Sequence, residues 1–321
     1  MREWKENPEI SKDLANKIFT VVNPVSSSGR TGRNWPDIAD YLKKNNIDFV
    51  FRKSEYPEHA VSMVRKALKD GYKYIMSVGG DGTANEVVNG FFEKGNLINP
   101  EAELIIFSRG TGSDFIRSLG IGNSKKEIIE IIKNGREKLI DIVKVDYTNN
   151  QNHKSQRYFL NISDAGIGGE TVARIEKGGK LFNGKLTYLL GILKTLAFYK
   201  NKKYRVKMDG KEIVNDKVNS ILVANGGYFA GGMNIAPEAE IDDGLLNLIV
   251  LGDLNKFEII TNLYKAYSGK HLSHPKVNSY QGKEIEISSE EKVFLNIDGE
   301  AAGILPAHYK IIPAKIKVLI L

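Results

Sequence analysis

Three glycines within five residues, Gly79-Gly80-Asp81-Gly82-Thr83, join an apolar strand to an amphipathic helix. That junction commits this part of the chain to a strand–turn–helix unit. The strand reads Tyr74-Ile75-Met76-Ser77-Val78, a short apolar run rich in β-formers. The helix is expected from about Ala84, with Ala84, Val87, Val88, Phe91 and Phe92 on one face and Gly95 as its stop. Glycine permits positive φ and close backbone approach, so amides in the turn can converge on an anion. The helix dipole adds partial positive charge at the same point. Asp81 lies inside this anion site. A carboxylate repels a phosphate unless a cation lies between them, so Asp81 suggests Mg2+. An ordinary tight turn, with Asp81 capping the helix, is the alternative reading of these five residues.

Up to about residue 140 the pattern alternates strand and helix. Lys17–Val22 and Leu104–Phe107 read as strands. Pro57 stands where a first helical residue would, ahead of Ala60, Val61, Val64, Ala67 and Leu68. Ser124 and Glu127 form a capping-box pair before Ile128, Ile129, Ile131 and Ile132, and Gly135 ends that helix. Such alternation predicts a parallel sheet covered by helices.

From about Asp141 short strands dominate. They are expected at Ile142–Tyr147, Arg157–Ile162, Tyr204–Met208, Ser220–Ala224, Leu246–Leu251, Glu284–Ile287, Val293–Ile297 and Lys315–Leu321. Asp209-Gly210 is a two-residue hairpin turn. Helical segments interrupt near Leu186–Tyr199 and Lys256–Tyr267. The expected organisation is an α/β nucleotide-binding domain over 17–140 and an antiparallel β-sandwich over 141–321. The cleft between them is the default site.

At 321 residues the chain has room for two domains, and 41% hydrophobic with 26% charged residues is a globular composition. It contains no cysteine, which excludes disulfides, thiolate metal sites and cysteine nucleophiles and fits a cytoplasmic protein. Met1–Glu6 lacks the apolar core of a signal peptide, and no run is long enough to span a bilayer. The net charge of +7 points to an anionic partner: nucleotide, nucleic acid or anionic membrane.

Three more stretches bear on phosphate chemistry. Asn23-Pro24-Val25-Ser26-Ser27-Ser28-Gly29-Arg30 places hydroxyls, a glycine and a cation after the first strand, or is a plain polar loop. Gly110-Thr111-Gly112-Ser113-Asp114-Phe115-Ile116-Arg117 follows the strand at 104–107. It lies on the side where open α/β sheets bind ligands. It also reads as a plain turn with an Asp114–Arg117 pair. Asp298-Gly299-Glu300 sets two carboxylates around a glycine at a strand end. They could share a metal or supply a general base, or simply form a hairpin turn. No GxGxxG opens a dinucleotide unit. Gly179 to Lys185 has P-loop spacing, but Leu186 stands where Ser or Thr must bind Mg2+. His271 and His274, three apart, form no recognised metal spacing.

Together these motifs resemble the diacylglycerol kinase catalytic-domain family, the bacterial soluble lipid kinases, from about Phe19 to Leu321. The most specific string runs from Gly79 to Gly90 and is similar to GGDGTxNEVVNG. NAD kinases share its first five residues but not the continuation. Asn23-Pro24 with Gly29 and Arg30 resembles the family's NP-x-SG-basic loop, longer here by about two residues. Gly110–Arg117 is similar to GTxNDFAR, with Ser113 for Asn and Ile116 for Ala. Asn225-Gly226-Gly227, Gly231-Gly232-Met233, Ala236-Pro237 and Asp242-Asp243-Gly244 follow the family's C-terminal run, as do Ser268–His271 and Asp298–Glu300.

The resemblance implies an ATP-dependent lipid kinase acting in an interdomain cleft. It would phosphorylate the primary hydroxyl of diacylglycerol or a related lipid to phosphatidic acid or an analogue. Asn23, Gly79, Gly80, Asp81, Gly82, Thr83, Gly110 and Thr111 would hold ATP. Arg30, Asp114 and Arg117 would form a charged network on the phosphate side. Asp81, Asp298 and Glu300 would organise catalytic Mg2+, and Asp298, with Asp81 second, would accept the hydroxyl proton. Asp243, with the backbone carbonyls of Glu240 and Leu245, would ligate a structural Mg2+. In some relatives a C-terminal helix returns to the first domain; here the closing strand leaves that return open. The expected partner is a lipid at an anionic membrane surface, not nucleic acid. Contact would be peripheral, at the inner face of the membrane. A homodimer is compatible with this reading. The basic segment Lys177, Lys180, Lys185, Lys194, Lys200, Lys202, Lys203 and Arg205 brackets the apolar helix 186–198 and suits such contact. A helix packed on the β domain is the equal alternative. A kinase of a soluble acceptor, as in NAD kinases, and a non-catalytic nucleotide-binding membrane protein are the rival functions.

Overall fold

Apolar runs buried on both faces are what a parallel sheet needs, and the first part of the chain supplies them. The computed structural model describes residue 14 and residues 16–178 and 185–321, with backbone alone at 176–178 and 185–187. The N-terminal segment 1–6, the P-loop-like stretch and the side chains of Lys177, Lys180, Lys185 and Leu186 lie outside the described residues. Strands β1 (Ile18–Val22), β2 (Phe49–Lys53), β3 (Tyr74–Gly79) and β4 (Glu103–Ser108) pair in parallel in the order β2-β1-β3-β4. Alternate residues feed opposite cores. Ile75, Leu104 and Ile106 meet helices α2 (His59–Lys69) and α3 (Asp81–Gly90). Met76, Val78, Ile105 and Phe107 meet α1 (Arg30–Lys44) and α5 (Lys125–Asn134). A short helix, α4 (Asp114–Leu119), follows β4.

Three local expectations shift. Helix α3 starts at Asp81 rather than Ala84, because Gly80 is its extended N-cap and Ala84 N–H already donates to Gly80 O at 3.1 Å. It ends at Gly90, not Gly95. Gly90 lies so close to Val64 that a Cβ there would approach Val64 Cβ to 2.6 Å. Gly95 instead turns a small ribbon, Phe92–Glu93 with Asn96–Leu97, at φ 85°. Pro57 precedes α2 by two residues, with Glu58 as the N-cap. The Ser124–Glu127 capping box forms on both sides.

The remaining strands are β5 (Arg136–Asn149), β6 (Lys154–Phe159), β7 (Ile162–Gly166), β8 (Lys202–Met208), β9 (Lys211–Val218), β10 (Ser220–Ala224) and β11 (Leu246–Leu251). After them come β12 (Val277–Gly282), β13 (Glu284–Ser288), β14 (Phe294–Ile297) and β15 (Glu300–Ile320). The segment expected as one strand at 157–162 is broken at Leu160–Asn161, whose backbone is used by the site below. Pairing from β12 through β11, β10, β7 and β14 to β15 is antiparallel. Val145, Tyr204, Val206, Val223, Leu248, Ile285, Leu295 and Tyr309 fill its core. Asp209 and Gly210, at φ 48° and 80°, make the expected hairpin between β8 and β9.

Strand β15 decides how the parts join. It pairs with β14 and β13, runs beside β5 from Gly303 to Ile320, and ends parallel to β4 at Lys317 and Val318. The C-terminus therefore returns to the first sheet as a strand. Asp141 pins this crossing: its two carboxylate oxygens accept from Gly244 N and Ala314 N, each at 2.7 Å.

Helices α6 (Ile167–Gly178), α7 (Lys185–Phe198) and α8 (Lys256–Asn262) cover the outer face of the antiparallel strands. Asp164, buried in the middle of β7, accepts from Ser220 Oγ at 2.5 Å. Burial pushes its carboxyl up to about 7. The folded state therefore keeps this proton where the unfolded chain has lost it. Its stabilising contribution is complete below about pH 4 and is lost as pH climbs through about 7. Wild type should gain stability over Asp164→Asn by on the order of 1 kcal/mol or more between pH 8 and pH 5. Denaturant melts of both proteins at the two pH values check this; a constant difference would show that Asp164 does not titrate there.

Candidate active site

The two glycine turns meet back to back at the C-terminal ends of β3 and β4. A Cβ on Gly110 would lie 2.6 Å from Gly80 Cα, and one on Gly79 would strike Thr83 Oγ1 at 2.3 Å. Side chains are excluded at both places, so backbone amides and the Thr83 hydroxyl face the opening. Asn23 Nδ2 donates to Thr83 Oγ1 at 3.0 Å, and Ser27 Oγ donates to the carbonyl of Arg109 at 2.6 Å. The loop after β1 is thereby fastened to both turns. Asn23, Gly80, Asp81, Gly82, Thr83, Gly110 and Thr111 line one cleft of about 1250 Å3, with Arg157, Asp298 and Glu300 on its far wall. Gly79, buried behind Thr83, sets the turn and does not reach the cleft. Ser113 is buried and bonds Ser108 Oγ at 2.9 Å, so it too stays out of the cleft.

A deeper recess of about 250 Å3 is shared by Asp81, Asp114 and Asp298. Asp81 accepts from Asp114 N at 3.2 Å and Phe115 N at 3.3 Å, at the start of α4. Burial holds its carboxyl above the usual range, against those amides. Asp114 accepts from Gly231 N at 2.7 Å and pairs with Arg117 at 2.8 Å. Burial and the Asp81 charge push it up to about 6. Two carboxylates that raise each other's cost of ionisation mark a place where positive charge is wanted.

Asp298 and Gly299 form the two-residue hairpin between β14 and β15, both at positive φ (46° and 90°). The hairpin reading of this stretch therefore holds, and the same turn carries Asp298 to the cleft wall. The Asp298 side chain accepts four hydrogen bonds: Asn161 N and Ile162 N on Oδ1, Leu160 N and Asn85 Nδ2 on Oδ2, at 2.8–3.1 Å. Burial raises it to about 6, with the Leu160 and Ile162 amides opposing. Glu300 accepts from Arg157 at 2.6 Å.

Arg157 escaped the sequence reading, and so did the roles of Asn85 and Asn89. Asn85 is fully buried; its oxygen accepts from Arg157 Nε at 2.9 Å while its amide reaches Asp298. Asn89 accepts from Tyr158 N at 2.9 Å and donates to Tyr158 O at 2.8 Å, as an added strand would. Helix α3, which starts at the glycine turn, is thus fixed to β6 and to the Asp298 hairpin. The signal available was the i, i+4 spacing of two amides on one helix face. Arg157 carries no motif.

One expected grouping does not form. Arg30 is exposed and opens with Ser27, Asn34 and Arg109 on a separate polar recess, making no hydrogen bond or ion pair with Asp114 or Arg117. It sits on the first turn of α1. Asp243, Glu240 and Leu245 lie on the loop held by Asp141, outside the cleft. There Asp243 Oδ1 accepts from Leu245 N at 2.9 Å. No group of three or more His, Asp or Glu side chains arranged for a metal occurs among the described residues.

Residues 17–145 match the diacylglycerol kinase catalytic domain, and residues 163–320 match the YegS C-terminal NAD kinase beta sandwich-like domain. The chain is 28% identical over 297 residues to a diacylglycerol kinase of Staphylococcus carnosus, covering 92% of each. It is 30% identical over 300 residues to one of Staphylococcus aureus, covering 92% of this chain and 90% of the relative. In fold it is similar to the crystal structure of a diacylglycerol kinase from Bacillus anthracis, with TM-score 0.68 at 19% identity over 95% of this chain and 97% of the other.

Proposed function

Because this chain belongs to the diacylglycerol kinase family, a family of ATP-dependent kinases, we propose that it transfers the γ-phosphoryl of ATP to the primary hydroxyl of diacylglycerol or a closely related lipid. The observation that carries this reading is the apposition of the Gly80–Thr83 and Gly110–Thr111 amides to three carboxylates across one cleft. Phosphoryl transfer asks a protein mainly for positioning and charge neutralisation. The glycine amides and Thr83 would hold the phosphates. Arg117 fixes Asp114, and Arg157 fixes Glu300. Asp298 already accepts four hydrogen bonds, which occupy the lone pairs of both oxygens. The hydroxyl proton therefore goes more easily to Asp81, whose two amide contacts are long; Asp298 positions the hairpin and α3.

The carboxylate pair Asp81–Asp114, each raising the other's cost of ionisation, fits a divalent cation in charge and in oxygen donors. Bound there, Mg2+ would neutralise the transferring phosphoryl oxygens. The Asp243 loop fits a second cation on the same grounds, since burial and the charges of Asp141 and Glu240 raise the Asp243 carboxyl. Asp243→Ala should erase most of the Mg2+-dependent rise in melting temperature, because a metal bound only by the folded state stabilises it by mass action. Equal Mg2+ shifts in wild type and variant would remove Asp243 as a ligand.

We place the protein peripherally on an anionic membrane when it works. Helix α7 buries Ile192, Thr195 and Leu196 yet leaves Leu190, Leu193 and Phe198 exposed, so it packs on the β domain and still presents an apolar edge. Lys194, Lys200 and Lys203 are exposed beside it. Lys202 is committed elsewhere, donating to Lys292 O at 2.5 Å. The test of the function offers labelled ATP and Mg2+ with either dioleoylglycerol in anionic vesicles or NAD. Label in the lipid, at a rate that falls with salt, is the expected result; label in NAD alone would overturn the lipid reading.

A further inference from the structure

Six buried side-chain polar atoms have no hydrogen-bond partner among the described residues, and one of them, Asn296 Nδ2, belongs to a residue in the wall of the carboxylate recess. Asn296 is fully buried. A buried donor without an acceptor is costly, so folded proteins keep few of them. The orientation of this amide is set by its other end: Oδ1 accepts from Gly299 N at 2.9 Å, inside the Asp298-Gly299 hairpin. Turning the amide over would set donor against donor there. The backbone places the side chain as well. Pairing of β14 with β15 shifts between Leu295 and Asn296, leaving Ala302 out of the ladder. Bulges of this kind occur beside active sites, where they re-aim a side chain. Leu295 and Ile297 enter the core of the antiparallel strands, and Asn296, between them, takes the opposite face.

Two features say which oxygen the amide serves. Asn296 lines the recess with Asp81, Asp114 and Asp298 but does not line the larger cleft, where Gly80–Thr83, Gly110 and Thr111 present the phosphate amides. The oxygen therefore belongs to the acceptor. The neighbouring polar groups are already engaged. Asn161 donates to Tyr228 O at 2.5 Å and accepts from Ser118 Oγ at 3.3 Å, and Gly231 N donates to Asp114. The three carboxylates can accept from a hydroxyl but repel a carbonyl oxygen. Among the described buried side chains of this wall, Asn296 alone has an amide nitrogen with no partner.

We propose that Asn296 Nδ2 donates to the carbonyl oxygen of the ester beside the acceptor's primary hydroxyl, and that this bond makes the protein prefer acyl to alkyl glycerols. The inference rests on the lipid-acceptor reading above and adds the part of the lipid that the recess reads. One hydrogen bond at the ester holds the glycerol with its free hydroxyl toward the carboxylates. An ether at the same place offers no carbonyl, leaves the amide unpaired in a desolvated recess and loses that orientation.

The test compares dioleoylglycerol with the dioleyl ether of glycerol in the same anionic vesicles. Wild type should favour the ester by roughly tenfold or more in kcat/KM, and Asn296→Leu, which fills the space without a donor, should bring the ratio to about one. Asn296→Asp keeps an acceptor for Gly299 N and also removes the donor; it should level the ratio too, and serves if the leucine variant does not fold. The two lipids share the hydroxyl and the chains, so a merely structural role for Asn296 would lower both rates and leave the ratio alone. Equal rates on ester and ether in wild type, or an ester preference that survives substitution in folded protein, overturn the proposal while the kinase reading stands. The rise in melting temperature with dihexanoylglycerol, against that with the dihexyl ether, gives the same comparison without turnover. A larger rise with the ester in wild type but not in the variants, in a protein that phosphorylates neither lipid, keeps the contact and overturns the kinase reading instead.

Discussion

Asp81→Asn should lower phosphoryl transfer roughly a thousandfold or more and leave the protein melting within about 4 °C of wild type. The argument rests on what Asp81 touches. Among the described residues its carboxylate accepts two long amide hydrogen bonds, from Asp114 N and Phe115 N, and an asparagine oxygen can keep one of them. The change therefore costs the fold on the order of 1 kcal/mol. The chemistry loses much more. Asp81 is the charge inside the anion turn, it faces the recess, and burial already holds its carboxyl above the usual range. Removing that charge removes half of the cation site and the group best placed to take the hydroxyl proton. Steady-state turnover and a thermal melt on one preparation decide the matter. Near-normal turnover in a folded Asp81→Asn protein would refute the role.

The opposite balance is expected at Asp298. Asn tolerates the left-handed backbone that this position requires, φ 46°, so Asp298→Asn introduces no strain. What it changes is acceptor capacity. Four donors converge on the carboxylate, two on each oxygen. An amide accepts on one side only and turns its own N–H groups toward two of those donors. Leaving them unsatisfied should cost about 3 kcal/mol or more and lower the melting temperature by several degrees. Activity should fall as well, because the hairpin carries Glu300 and holds α3 through Asn85. Denaturant unfolding separates the two variants: Asp298→Asn shifts the midpoint strongly and Asp81→Asn barely. An Asp298→Asn protein as stable as wild type but without turnover would make Asp298 the chemical group and this account of it wrong.

Much of the fold was legible because its signals are local. Buried strands of the parallel sheet are runs dominated by apolar residues, and the capping box at Ser124–Glu127, the Asp209-Gly210 hairpin and the strands at 220–224 and 246–251 sit where the pattern puts them. Helix ends were less legible where tertiary packing sets them, as at Gly90 against Val64. The role of β15 could not be read. One strand of 21 residues joins the parallel and antiparallel parts of a single sheet, and its pairing with β4 and β5 depends on residues more than a hundred positions away. The site followed the same rule. The glycine turns and the carboxylates stand in compact motifs and the fold brings them together. Arg157, alone in a strand, gave no sign. Arg30 carried a motif signal but not a position, because the side of α1 it occupies is fixed by the packing of Trp35, Ile38 and Leu42 on the sheet.

The central claim is that the cleft between the two glycine turns and the Asp298–Glu300 hairpin is where the phosphoryl group moves. A crystal structure of the protein with ADP and Mg2+ tests it most directly. The account predicts the diphosphate against the amides of Gly80–Thr83 and Gly110–Thr111, with the metal between it and Asp81. A diphosphate bound elsewhere, with those amides and Asp81 left facing solvent, would contradict it.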